Sequence, residues 1–171
     1  ASDVTFVDRS KDSISLVYQN LKGIDGNYKV VNADFSSALR SSYVSGKKFD
    51  LIFLDPPYAT NLAELAIELI IQLDLLNEDG IIVFEHGAEK SYEIQDMRFK
   101  QRTKKMGTVT AEFISRKKVG LMTGSFDPFT RGHEAVLDEA LCDFDEVVVA
   151  CLINPDKKYT FNEAQRLAIC E

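Results

Sequence analysis

The chain has 171 residues, 45% apolar and 27% charged, which allows one good core or two small ones in an ordinary globular protein. No apolar run approaches the roughly 20 residues of a membrane span, and no signal peptide opens the chain, so a membrane partner is not expected. A net charge of −7 argues against a protein that coats nucleic acid, but Arg98 to Lys118 holds eight Lys or Arg and one acid, a local +7 against −14 elsewhere.

Val4 to Asp8 reads as a strand ending in an acid. In a dinucleotide-type fold such an acid accepts hydrogen bonds from a ribose diol, although acids are common at strand ends without that role. Ser10 is placed to cap a helix whose Ile14, Val17, Tyr18 and Leu21 share a face, with Gly23 ending it. Tyr28 to Val31 is the next strand, followed by Asn32-Ala33-Asp34-Phe35, where Asp34 can start a helix.

The first two-thirds of the chain is organised around Phe49-Asp50-Leu51-Ile52-Phe53-Leu54-Asp55-Pro56-Pro57-Tyr58. Five apolar residues in six positions predict a short strand buried on both faces. Proline cannot donate to a sheet ladder, so Pro56 and Pro57 stop the strand at its carboxyl end, where parallel sheets place their sites. Asp55 and Tyr58 then offer an acceptor and a flat ring on one turn, a pair suited to a planar amino group and the ring that carries it. The bland alternative is a strand followed by a proline turn.

Asn61 and Glu64 have capping-box spacing ahead of a long helix, with Leu62, Leu65, Leu69, Ile70 and Leu73 as its core face. Asn77 to Gly80 predicts a turn into a buried strand, Ile81 to Glu85, and His86 reads as a loop histidine outside the site. Met97 to Met106 and Thr108 to Ser115 predict an antiparallel pair turning at Gly107. Arg98, Lys100, Arg102 and Lys104 alternate, giving one basic face that either contacts RNA phosphates or guards an edge strand.

The Asp55-Pro56-Pro57-Tyr58 run resembles the D/N-P-P-Y/F motif of S-adenosylmethionine-dependent amino-methyltransferases. From Val4 to about Arg116 the pattern is most similar to the RsmD-like family, which methylates guanine N2 of 16S ribosomal RNA. The resemblance implies a Rossmann-like core from the family's second strand onward. It implies Asp8 on the cofactor ribose, Asp34 on the adenine amino group with Phe35 beside the ring, and Asp55, Pro56 and Tyr58 at the reacting amino group. The family's first strand, its glycine-rich loop and its basic amino-terminal arm have no counterpart here and would belong before Ala1. The D-P-P-Y motif alone leaves DNA adenine or protein glutamine open as substrates.

Lys117 to Thr123 predicts a new strand, followed by Gly124-Ser125-Phe126-Asp127-Pro128-Phe129-Thr130-Arg131-Gly132-His133 and a helix with Val136, Leu137, Ala140 and Leu141. Glycines admit phosphate to backbone amides, and the helix amino-terminus favours an anion. Thr130 and His133, three apart at the first turn, can address the same ligand. Asp145 to Ile153 is the next strand, with Asn154-Pro155-Asp156-Lys157-Lys158 after it, and Asn162 with Gln165 forms a capping box for a last helix. Cys142, Cys151 and Cys170, odd in number and without C-x-x-C spacing, read as reduced core thiols of a cytoplasmic protein.

The T-x-G-H signature is that of the nucleotidyltransferase superfamily, and Thr130 with the N-P-x-K-K segment resembles the phosphopantetheine adenylyltransferase (CoaD-like) branch. This implies ATP with Mg²⁺ and 4′-phosphopantetheine as substrates. His133 and Lys157 would then stabilise transferring phosphate, Ser125, Phe126 and Thr130 would bind the nucleotide, and oligomers could form through this domain. The expectation is an α/β chain in two domains. Residues 1–116 are methyltransferase-like without their first strand, and residues 117–171 begin a second Rossmann-like nucleotidyltransferase fold. The whole would be an internal fragment of a bifunctional polypeptide. The alternative is a remnant or gene-junction artefact carrying two incomplete sites.

Overall fold

A computed structural model describes residues 2–57 and 60–170 and divides the chain into two compact units, Ala1–Arg116 and Lys117–Glu171. The first unit contains β1 (Val4–Asp8), α1 (Lys11–Asn20), β2 (Tyr28–Asn32), α2 (Phe35–Val44), β3 (Phe49–Leu54), α3 (Leu62–Gln72), β4 (Leu76–Gly87), β5 (Phe99–Met106) and β6 (Val109–Arg116). The second contains β7 (Val119–Gly124), α4 (Arg131–Asp143), β8 (Glu146–Cys151) and α5 (Glu163–Cys170). Both units are mixed α/β. Each parallel pair β1–β2, β3–β4 and β7–β8 is joined by a helical crossover, as parallel pairing requires.

The strands of the first unit form two sheets, β1-β2 and β3-β4-β6-β5, with no ladder between β1 and β3 among the described residues. This corrects the expectation for β3. It pairs only with β4, and Leu51 and Phe53 are 58% and 56% exposed. Its other face is covered. Ile52 and Leu54 pack with α3 on a core of Ile67, Ile70, Ile82, Phe84 and Ile114.

The helix face is also corrected. α3 buries Ala63, Ala66, Ile67, Leu69 and Ile70, while Leu65 is exposed, because two small alanines let the helix lie close on the sheet. Asn61 makes no side-chain cap, so the expected capping box there is absent. The predicted turn at Asn77 to Gly80 lies inside β4, where the register with β3 shifts between Phe49 and Leu51. A Cβ at Gly80 would lie 2.8 Å from the Phe49 carbonyl oxygen, so the irregularity needs glycine.

Short-range expectations hold. The Ser10 hydroxyl accepts from the Ser13 amide at 3.3 Å, and Asp34 caps α2 by accepting from the Ser37 amide at 3.0 Å. Gly107 turns the β5–β6 hairpin at φ 65°. Asn162 and Gln165 exchange two backbone-to-side-chain bonds of 3.0 Å ahead of α5. The cysteines are free, but Cys142 is exposed on α4 rather than in a core. No helix of the described residues is long and apolar enough to cross a membrane.

Candidate active sites

In the first unit, the acids expected to hold the cofactor lie at strand carboxyl ends. Asp8 ends β1 opposite Asn32 of β2, and the Asn32 side chain donates to the carbonyls of Asp8 and Arg9 at 3.0 Å each. One Asp8 oxygen accepts the Ser10 amide at 2.6 Å. Asp34 is exposed, and its Oδ1 accepts the Ser37 amide and the Ser36 hydroxyl. Hydrogen bonding from the Ser37 side chain, then from its amide and from Ser36, holds the carboxyl well below the ordinary carboxylate range. The structure therefore gives Asp34 the helix-starting role that the sequence left open, with Phe35 as the first residue of α2.

Asp55 leaves β3 exposed, and Pro56 and Pro57 line a shallow cleft with Glu64, His86 and Tyr92. Tyr58 lies outside the described residues. Asp8 and Asp34 do not line this cleft. His86 corrects the sequence reading, since it sits within β4 and is buried. Its Nδ1 lies 2.9 Å from the Gly87 carbonyl and its Nε2 lies 3.1 Å from Glu112 Oε1. Both neighbours are acceptors, so both contacts are hydrogen bonds only when each ring nitrogen carries a proton. Glu112, 1% exposed, also accepts Gln101 Nε2 at 2.8 Å and the Thr103 hydroxyl at 2.6 Å. Burial, then the charges of Glu64, Glu68 and Glu112, push the Tyr92 hydroxyl up to about 12. Alternation with Ile82 and Phe84 was the signal in the sequence that His86 faces inward.

The expected basic strip is smaller than four residues. Arg98 precedes β5 and is held by Asp96 through bonds of 3.0 and 2.6 Å, which lower the Asp96 carboxyl to about 2. Lys100, Arg102 and Lys104 do alternate on β5, where Arg102 lies 4.5 Å above the Phe113 ring. β5 is an edge strand, which fits the guarding role for this charge.

In the second unit, β7 delivers the Ser125–Thr130 loop to the start of α4. The Thr130 amide donates to His133 Nδ1 at 2.9 Å. That nitrogen is thus an acceptor, and the neutral ring carries its proton on Nε2. Phe126 and Phe129 pack on the same ring with centroids at 5.2 and 5.3 Å. The Phe126 side chain is buried at φ 40°, so it holds His133 rather than presenting a free face.

Lys157 crosses from the segment after β8 and donates to the Ser125 hydroxyl at 2.7 Å. That segment is tied to the loop by Asp127, whose oxygens accept the Thr160 and Phe161 amides at 2.7 and 2.9 Å. The same bonds, Thr160 first, lower the Asp127 carboxyl. Asp127 and Arg166, which reaches the Ser125 carbonyl from α5, were not singled out in the sequence. No group of three or more His, Cys, Asp or Glu among the described residues could hold a metal ion.

The family described as conserved hypothetical protein 95 matches residues 1–115, and the family described as cytidylyltransferase-like matches residues 121–171. The second region is similar to curated phosphopantetheine adenylyltransferases. It is 45% identical over 51 residues to that of Porphyromonas gingivalis, covering 30% of this chain and 33% of that one. It is 42% identical over 55 residues to that of Desulfatibacillum aliphaticivorans, covering 32% and 31%. The chain therefore spans about a third of the length of these relatives. Among solved structures, a candidate methylase of Haemophilus influenzae is similar at a TM-score of 0.56 and 26% identity, over 68% of this chain and 73% of that one. A candidate methyltransferase of Escherichia coli shares the fold at a TM-score of 0.60 and 24% identity, over 68% and 65%.

Proposed function

Because the chain belongs to the conserved hypothetical protein 95 family, we propose that residues 1–116 serve methyl transfer to guanine N2 of 16S rRNA. We further propose that residues 117–171 serve adenylyl transfer from ATP to 4′-phosphopantetheine, giving dephospho-CoA and pyrophosphate. The observation that carries the second half is the pairing at the loop. His133 Nδ1 is engaged by the Thr130 amide, which leaves Nε2–H to donate, and the Lys157 ammonium is drawn to Ser125.

In this reading the phosphate oxygen of phosphopantetheine attacks the α-phosphorus of Mg²⁺-bound ATP in line. A new P–O bond forms as the bond to pyrophosphate breaks. His133 and Lys157 donate to the oxygens where charge builds, and Ser125 and Thr130 hold the phosphates. Positioning and electrostatics suffice, and no covalent intermediate is needed. The test is pyrophosphate release from ATP that depends on phosphopantetheine. Release dependent on nicotinamide mononucleotide, or from CTP, would move the site to another branch.

Support for the first half is the set of acceptors at strand carboxyl ends. Asp8 and the exposed Asp34 offer carboxylate acceptors for a ribose diol and an adenine amino group. These fit the adenosine part of S-adenosylmethionine, which supplies the methyl group. Asp55 and the Pro56 carbonyl would accept hydrogen bonds from the target amino group and align its lone pair. Labelled methyl transfer to 16S rRNA, with nucleoside analysis of the product, tests this. Methylation of DNA adenine or a glutamine side chain instead would correct the substrate. One observation favours a non-catalytic second reading of this unit: its strands form two sheets with no ladder between them among the described residues. Lack of a cooperative thermal transition would support that reading.

A further inference from the structure

Arg166 is the most buried cation of the second unit, 2% exposed on a helix whose Leu167 and Ile169 face solvent. No carboxylate pairs with it among the described residues. A guanidinium taken out of water without a carboxylate is normally selected against, so its retention calls for an explanation. Its partners are all neutral. Nη1 donates to the Ser125 carbonyl at 2.6 Å, to the Leu152 carbonyl at 3.3 Å and to Cys151 Sγ at 3.4 Å. The guanidinium also lies 4.1 Å from the Tyr159 ring centroid, and its Nε has no partner.

These contacts join the three segments that build the phosphate site. They are the loop after β7, the end of β8, and the stretch that carries Lys157. Ser125 is held from both sides, with its carbonyl on Arg166 and its hydroxyl on Lys157. The Tyr159 ring lies beside both cations, and its hydroxyl accepts the Asn154 amide at 2.5 Å. The Arg166 charge, which no carboxylate among the described residues pairs, adds to that of Lys157 at this loop, against the carboxylate of Asp127.

We propose that Arg166 is a positioning residue of the nucleotide phosphate site: its guanidinium Nη1 fixes the Ser125 carbonyl, and through Ser125 the Lys157 ammonium, while its charge, paired with no carboxylate among the described residues, favours an anion at the loop. This rests on the nucleotidyltransferase reading above and adds a residue to that site. Lysine cannot substitute fully, because it carries the charge without the planar guanidinium that lies on the Tyr159 ring.

The test is calorimetric binding of Mg²⁺-ATP and of inorganic pyrophosphate to the full 171-residue chain, wild type against Arg166→Met and Arg166→Lys. Arg166→Met is expected to weaken ATP binding about tenfold and to flatten its salt dependence, a readout that mere loosening would not move. Arg166→Lys should recover the salt dependence but only part of the affinity. In a Lys157→Met background, Arg166→Met should cost much less, because both side chains act on Ser125.

A folded Arg166→Met chain with ATP affinity within about twofold of wild type would overturn the inference, as would equal losses in the two backgrounds. If Arg166→Met does not fold, Arg166→Lys decides, and full wild-type affinity in it overturns the role of the guanidinium. Wild-type chain that binds neither ATP nor pyrophosphate would sink the nucleotidyltransferase reading itself, and the inference with it.

Discussion

Replacing Glu112 by alanine tests whether the buried network beneath the Pro56–Pro57 cleft holds the first unit together. Glu112 is 1% exposed and accepts from three side chains, Thr103 at 2.6 Å, Gln101 at 2.8 Å and His86 at 3.1 Å. Gln101 in turn donates to the Tyr92 carbonyl at 2.8 Å and accepts the Ile94 amide at 2.9 Å, so the network reaches the segment that walls the cleft. Thr103 and Gln101 lie near the edge strand and can regain water at a cost of about 1 kcal/mol each. His86 cannot, and a buried partner left unpaired adds about 2 kcal/mol. The expected loss is thus about 4 kcal/mol, a large share of the roughly 5–15 kcal/mol that stabilises a domain. Glu112→Gln keeps the shape and should lose less. The assay is amide exchange in β4, β5 and β6 under native conditions, since a global melt would mix the two units. A loss below about 1 kcal/mol for Glu112→Ala would refute the reasoning, because a buried acceptor shared by three donors, one of them the buried His86, cannot be removed that cheaply.

Gly124→Ala should act on His133 indirectly: the new Cβ would lie 2.6 Å from Cε1 of the buried Phe126 ring, which packs on His133. Overpacking of that order costs about 1–3 kcal/mol, and ATP affinity should fall about tenfold by calorimetry. Unchanged affinity would mean that the Phe126 contact does not set the histidine. The link from Asp127 to Thr160 and Phe161 should depend on pH. Its carboxyl is lowered in the folded chain, so the stabilisation is present above the ordinary carboxylate value of about 4 and is lost as pH falls through the lower folded value. The Thr160 and Phe161 amide resonances should therefore hold steady from neutral pH to about 4 and move below it. At Asp34, alanine should cost α2 about 1 kcal/mol by loss of its cap while asparagine should cost little, read by exchange of the Ser37 and Ala38 amides.

The sequence is legible where a few neighbouring residues decide the outcome, and illegible where distant elements do. The Ser10 and Asn162 caps and the Gly107 hairpin are set within about one turn of chain, and each forms as its spacing implies. Which face of β3 is covered depends instead on what lies beside it. Five apolar residues in six positions cannot say that Phe49, Ile52 and Leu54 pack on the core while Leu51 and Phe53 stay exposed. Nor can a pattern of leucines say that Ala63 and Ala66, the smaller side chains, let α3 approach the sheet.

Arg166 is the sharpest case, because its helix inverts the usual rule. Leu167 and Ile169 are 45% and 42% exposed while the arginine is enclosed. The reason lies outside the helix. The Ser125 and Leu152 carbonyls, the Cys151 sulfur and the Tyr159 ring form a polar cage that an aliphatic side chain could not satisfy. These groups come from three different stretches, so the cage exists only after β7, β8 and the Lys157 segment have met. The T-x-G-H signature identifies the residues that would face a ligand, whereas the residue holding them in place is specified by an assembled surface. A motif search therefore finds the donors of such a site and passes over the strut beneath them.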